Sequence, residues 1–179
     1  PKFVEQMLGQ HDVGSHWAPA VMTVGQISEF PALLLLPFRL HRFGMKGTFA
    51  LGMLAWVIRY GLFAMSDTTW IVLVGISFHG VCHVFLIIVI QLYVDAVCRV
   101  DLRASSQNLF AFVTMGIGMP AGFVLAGAWG DVCRLKDAAA ANYAQFFSVP
   151  AAVILVLLLI FWRWFEWPQP GERDGSAES

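Results

Sequence analysis

The chain has 179 residues, 58% of them hydrophobic and only 13% charged, with a net charge of −1. A soluble domain carries about 25% charged residues, so this composition points to the bilayer. The near-neutral balance gives nucleic acid no electrostatic foothold and excludes it as an expected partner. Residues 68–94 contain no Asp, Glu, Lys or Arg at all. An apolar run of ~18 or more is long enough for a helix to cross a hydrocarbon core ~30 Å thick.

Taken in chain order, the sequence predicts a polar lead-in over residues 1–16, an extracytoplasmic loop, followed by five membrane spans at about 17–37, 47–65, 69–94, 109–130 and 147–165. Together these make a five-helix transmembrane domain over residues 17–167. Residues 168–179, PQPGERDGSAES, are rich in Pro, Gly, Ser and acid and read as a disordered cytoplasmic tail. The chain starts at Pro1 without an initiator Met, which leads to the expectation of a fragment whose upstream part is missing. Orientation follows from Lys and Arg in short loops. Arg39, Arg42, Lys46, Arg99, Arg103, Arg163 and Arg173 fall on one side of the spans, and Lys2, Arg134 and Lys136 on the other. The richer side is expected to be cytoplasmic, with the N-terminus outside and the C-terminus inside.

Polar groups within apolar spans carry the functional signal, because each costs free energy in hydrocarbon and must face protein or water. Gln26 and Glu29 share a helix face in the first span, with Glu29 near mid-depth. Pro31 follows and leaves the carbonyl of Ile27 without its helical partner, so a kink beside the acid is expected. A structural Glu, protonated or paired, is the alternative to a functional one. In the third span His79 and His83 stand four residues apart, followed by Gln91, Tyr93 and Asp95. Two histidines without a third ligand nearby are weak evidence for metal; they are expected to line a water-filled cavity or to hydrogen-bond between helices. Asp95 has Arg99 and Arg103 close by for a charge pair. Arg59, inside the second span, either snorkels outward or pairs with an acid on another helix.

Gly118, Gly122, Ala126 and Gly130 form a small-residue stripe that suits close helix packing, with a bend expected near Gly116, Met119 and Pro120. Trp17, Trp70, Trp129, Trp162, Trp164 and Trp167 gather at span ends, where interfacial aromatics belong. Cys82, Cys98 and Cys133 lack metal-ligand spacing and read as small apolar filler. No G-x-S-x-G, H-E-x-x-H or phosphate-cradling glycine loop is present, so nothing supports an enzyme.

Four stretches in order, GQISE (25–29), RFGMK (42–46), AWVIRYGLFA (55–64) and RASSQ (103–107), resemble the nucleoside:H+ symporter family of the major facilitator superfamily. The resemblance implies an all-α membrane protein of twelve helices in two halves. This chain would supply five helices of the C-terminal half. It also implies nucleoside bound between the halves, protons as the coupling ion and no other cofactor. The partners implied are the small-molecule substrate, the lipid bilayer and the missing N-terminal half of the same chain. Gln26 and Glu29 match family positions implicated in substrate binding. Arg42, Gly44 and Lys46 match a cytoplasmic gating loop, and Arg103 belongs to the following one. His79 and His83 would line the cavity, with Glu29 and His83 as candidates for proton coupling. The chain departs from the family at His83 and Val84, where an aromatic residue and an Asp are usual. The transporter expectation therefore stands beside two others: a sensor or structural protein on the same scaffold, or a carrier of sugar or another small polar metabolite.

Overall fold

The computed structural model describes residues 16, 18–65, 68–133 and 142–166. Within them all regular structure is helical. Helix α1 runs Ala18–Ile27 and α2 Glu29–Ala64. Helices α3 (Thr69–Ser77) and α4 (His79–His83) lead into a π-helical segment, Val84–Ile88, and α5 (Val89–Val97). A 3-10 turn, Val100–Leu102, opens α6 (Arg103–Ala111), a second π-helical segment (Phe112–Gly118) and α7 (Met119–Val132). Helix α8 spans Tyr143–Trp164, with Asn142 as its N-cap accepting from the Gln145 amide at 2.9 Å. Residues 1–15 of the lead-in, Trp17, Trp167, the basic residues Lys2, Arg134, Lys136 and Arg173, and the tail lie outside the described residues.

Four continuous helical stretches are long and apolar enough to cross a membrane: Pro19–Ala64, Trp70–Val97, Val100–Val132 and Tyr143–Trp164. The first has 46 residues, about 69 Å of helix at 1.5 Å per residue and more than twice the hydrocarbon thickness. It does not run straight. Gly44 takes φ 65°, ψ −178°, outside helical geometry. Leu35 and Arg39, before it, line one cavity of about 170 Å³ with Leu51, Leu54, Ala55 and Ile58, after it. In a straight helix Leu35 and Ile58 would stand roughly 35 Å apart, so α2 folds back at Gly44 into two limbs, 29–43 and 45–64. Thr48, fully buried, ties the second limb to the turn by donating to the Gly44 carbonyl at 2.7 Å.

A positive φ favours glycine, and a Cβ at Gly44 would meet nothing within 4 Å. The cost of Gly44→Ala is therefore conformational, about 1–3 kcal/mol, and is expected to lower the thermal unfolding midpoint in detergent. Gly61 is the control, because it is helical and equally uncrowded. Gly61→Ala should be neutral or stabilising. Equal effects at the two positions would contradict the turn.

The limbs, α3–α5 and α8 form the packed part. Ala32 and Leu36 of the first limb bury against Val84, Phe85 and Val89. Phe63 of the second limb meets Val72, Ile76 and Phe147. Helix α8 lies along the second limb, with Phe49–Phe161 at 5.0 Å and Phe63–Phe147 at 5.3 Å between centroids. Helix α6 joins α5 through Gln107 Nε2, which donates to the Gln91 carbonyl at 2.8 Å, and through Cys98 Sγ to Ser106 Oγ at 3.1 Å.

From Leu109 onward that arm is open: Leu109, Phe112, Met115, Phe123 and Leu125 are all exposed. The small-residue stripe shares this exposure. Gly130 is buried, but a Cβ at Gly122 would find no neighbour, so the close helix contact expected there is not made within the described residues. Where a bend is expected near Pro120, a π-helical segment stands just before it and accommodates a proline that cannot donate to the preceding turn. Beside Glu29, where a kink is expected, the helix is interrupted at Ser28, between α1 and α2, with the backbone still near helical geometry. Pro31 then sits in the first turn of α2, where its missing N–H leaves no bond unmade.

Candidate functional site

Glu29, the first residue of α2, faces two histidines of α4. Its Oε1 lies 3.7 Å from His79 Nε2 and 3.4 Å from His83 Nδ1. The histidine rings stack, 5.9 Å apart and inclined by 14°, as residues four apart on one helical face should. The carboxylate side chain is 29% exposed and the imidazoles 39% and 43%. The cluster therefore opens on one side. The larger apolar clefts, about 440 and 340 Å³, lie between the second limb and α8, lined by residues such as Phe49, Met53 and Leu157, and contain none of these polar groups.

Backbone contact of unusual closeness holds the cluster together. The Gly80 amide donates to Ser28 Oγ at 2.9 Å, and Ser28 Oγ donates to the Gly25 carbonyl at 2.5 Å. A Cβ at Gly80 would overlap the carbonyl carbon and oxygen of Ser28. One at Gly25 would touch the His79 Cβ at 3.4 Å. The glycines let the α1–α2 junction reach α4, and Ser28 locks it one residue from the acid.

Arg59 reaches the cluster from the second limb. Among the described residues it meets no acid directly. Its Nη1 is 3.0 Å from His79 Nδ1, and its guanidinium lies 5.4 Å over the Phe63 ring. A guanidinium only donates, so His79 Nδ1 accepts and the ring hydrogen sits on Nε2, toward Glu29. A protonated Nε2 is no metal ligand. Within the described residues no group of three or more His, Cys, Asp and Glu is suited to a metal ion.

Of the residues singled out from sequence, the structure thus joins Glu29, His79 and His83. Gln26 is exposed on α1, one turn before Glu29. Gly44 is the reversal of α2, Arg42 is exposed beside it, and Lys46 Nζ lies 5.7 Å from the Trp162 ring. Arg103 pairs with Asp95 at 3.7 Å, whereas Arg99 turns to Asp101 at 3.2 Å. Asp95 therefore has one of its two expected partners. Val84, in place of the family's acid, is fully buried in the apolar cluster with Ala32 and Leu36. Sequence reasoning left Arg59, Ser28, Gly25 and Gly80 out of the site. The available signal was small residues at positions 25 and 28 on the same helical region as Glu29, and a glycine next to His79.

The sequence pattern described as nucleoside H+ symporter matches residues 3–169. The chain belongs to the nucleoside H+ symporter family. It is 32% identical over 164 residues to the putative nucleoside transporter YegT of Escherichia coli, covering 85% of this chain and 39% of that protein. It is 31% identical to the E. coli xanthosine permease, covering 86% and 37%, and 30% identical to the E. coli nucleoside permease NupG, covering 71% and 30%. A crystal structure of nucleoside transporter NupG, in a mutant form, superposes with a TM-score of 0.77 at 25% identity, over 89% of this chain and 40% of that one. The chain thus spans about 30–40% of the length of the symporter relatives it matches. These relatives are named transporters and permeases, not enzymes. Family membership and the apolar helices together make this an integral plasma-membrane protein with the helical fold of NupG.

Proposed function

We propose that this chain is part of a proton-coupled nucleoside transporter that works by alternating access, its helices rocking against the rest of the transporter around a central site. The observation that carries the reading is the half-open Glu29–His79–His83 cluster, in a chain whose relatives bear the names of nucleoside transporters and permeases. Glu29 binds substrate hydroxyls or the coupling proton. Gln26 hydrogen-bonds the substrate, and His79 and His83 line the cavity, with His83 as the second proton carrier. The coupling ion is the proton, and no organic cofactor or metal takes part.

In this reading the helices cross the membrane five times, because the fold-back of α2 at Gly44 makes two crossings of the 46-residue stretch. Residues 1–16 lie outside, 17–167 form the membrane domain, and 168–179 are a cytoplasmic tail. Arg42, Gly44, Lys46 and Arg103 lie on the cytoplasmic side, as their basic loops favour, and move in gating. The open arm of α6–α7 packs on the missing N-terminal half or on lipid, and no nucleic acid is bound.

Purified complete transporter in liposomes should take up labelled nucleoside saturably, and faster with an inward proton gradient. A cysteine at Met45 should label only from the cytoplasmic face and one at Asp12 only from the other. Labelling of both from one side removes the five-crossing topology. Val84, buried in apolar surroundings where the family has an acid, favours a second reading, a scaffold that senses or supports without transporting. Absence of uptake with nucleoside binding retained would decide for it. Uptake of a sugar in preference to nucleosides would move the substrate class.

A further inference from the structure

We propose that Arg59 is a positioning residue that fixes His79 as a neutral hydrogen-bond donor and leaves the Glu29–His83 pair to carry the exchangeable proton. The inference rests on the transporter reading for what that proton is used for, but its chemistry stands on the geometry alone. A guanidinium has five N–H donors and no acceptor. With Arg59 Nη1 at 3.0 Å, His79 Nδ1 must offer its lone pair. Nε2 then holds the ring's hydrogen and faces Glu29 Oε1. To become an imidazolium, His79 would need a proton at Nδ1, the position Arg59 occupies, and would place a second cation against it.

His83 has no such obstacle. Its Nδ1 is buried, forms no hydrogen bond among the described residues, and lies 3.4 Å from the same carboxylate oxygen. A proton arriving at the cluster settles between Glu29 Oε1 and His83 Nδ1 and draws them into a charge-assisted bond. When it leaves, the carboxylate keeps the His79 Nε2–H dipole directed at it. The groups facing His79 are Glu29 from the first limb, Arg59 from the second and His83 on its own helix. Tyr60 is next to Arg59 in the chain, and Gly25 and Ser28 on the α1 side carry no titratable group. Two histidines that look equivalent in sequence thus take different tasks, one a fixed donor and the other a proton acceptor, separated by an arginine 20 residues upstream of His79.

The experiment is ring-nitrogen NMR of the complete transporter labelled with ¹⁵N-histidine, the His79 signals being those lost in His79→Gln. The expected result is a neutral His79 protonated at Nε2 from about pH 5 to pH 8, the range in which an unconstrained histidine changes charge. Arg59→Lys keeps a donor and should preserve that form. Arg59→Met removes it and should let His79 take a proton on acidification. A wild-type His79 that carries hydrogen at Nδ1, or becomes doubly protonated within that range, overturns the assignment whatever the Arg59 variants show. An unchanged His79 in a folded Arg59→Met protein also overturns it, since a merely structural arginine would leave the ring state alone. Nucleoside uptake is scored separately. Its absence with an Nε2–H His79 defeats the transporter reading and leaves this one standing, and uptake with an Nδ1–H His79 does the reverse.

Discussion

Replacing Glu29 by glutamine in the complete transporter is expected to weaken nucleoside binding roughly ten- to a hundred-fold, because a hydrogen bond to a charged group is worth about 1.5–3 kcal/mol. Glutamine preserves shape and some hydrogen bonding but cannot hold charge or take a proton. A carboxylate in a membrane span is retained at a cost, and here it is the common neighbour of two imidazoles rather than the partner of a full cation. Its negative charge is therefore available to substrate hydroxyls or to a proton. Glu29→Ala should be at least as damaging, and Gln26→Ala less so, since only a neutral bond is lost. His83→Phe should flatten the pH dependence of uptake while binding survives. Equilibrium binding and proton-driven uptake measure both properties. If Glu29→Gln changes neither affinity nor proton dependence, Glu29 is a structural acid and the proposed site is lost.

How much of this site could be read in advance follows from what kind of signal each residue gives. Glu29, His79 and His83 stood out because polarity in an apolar run is conspicuous from one dimension. Their convergence was not, since Glu29 and His83 belong to different helices and only tertiary packing sets Oε1 3.4 Å from Nδ1. The reversal near Gly44 was visible as a basic, glycine-containing break between apolar runs. Its positive φ, which lets a helix fold back with so short an interruption, was not. Arg59 offered two expected fates, snorkelling or an acid, and took a third, because an imidazole nitrogen with a free lone pair can also accept from a guanidinium. The stripe from Gly118 to Gly130 was legible as a packing surface, yet along most of α7 the described residues do not supply what it packs against. A pattern specifies a face of a helix, not the occupant of that face.

Gly80 is expected to be as sensitive as Glu29, though it has no side chain to offer. Its amide donates to Ser28 Oγ, and a Cβ would run into the Ser28 carbonyl. The obstructing atoms are backbone, so no rotamer change relieves the overlap. Gly80→Val must force α4 away from the α1–α2 junction by on the order of an ångström, against a packing cost of about 1–3 kcal/mol. That displacement separates Glu29 from both histidines at once, since His79 precedes Gly80 and His83 follows within the same short helix. The expected outcome is a lower unfolding midpoint together with loss of nucleoside affinity comparable to that of Glu29→Gln. Ser28→Ala separates the two contributions. It deletes two hydrogen bonds without adding volume and leaves the buried Gly80 amide without its acceptor, which should cost about 1–3 kcal/mol, with the cluster left in register. Gly61→Ala, at an uncrowded helical position, controls for the general effect of filling a glycine. A Gly80→Val protein with wild-type stability and affinity would mean that the helices do not approach at Ser28, and the geometry assigned to Glu29, His79 and His83 would fall with it.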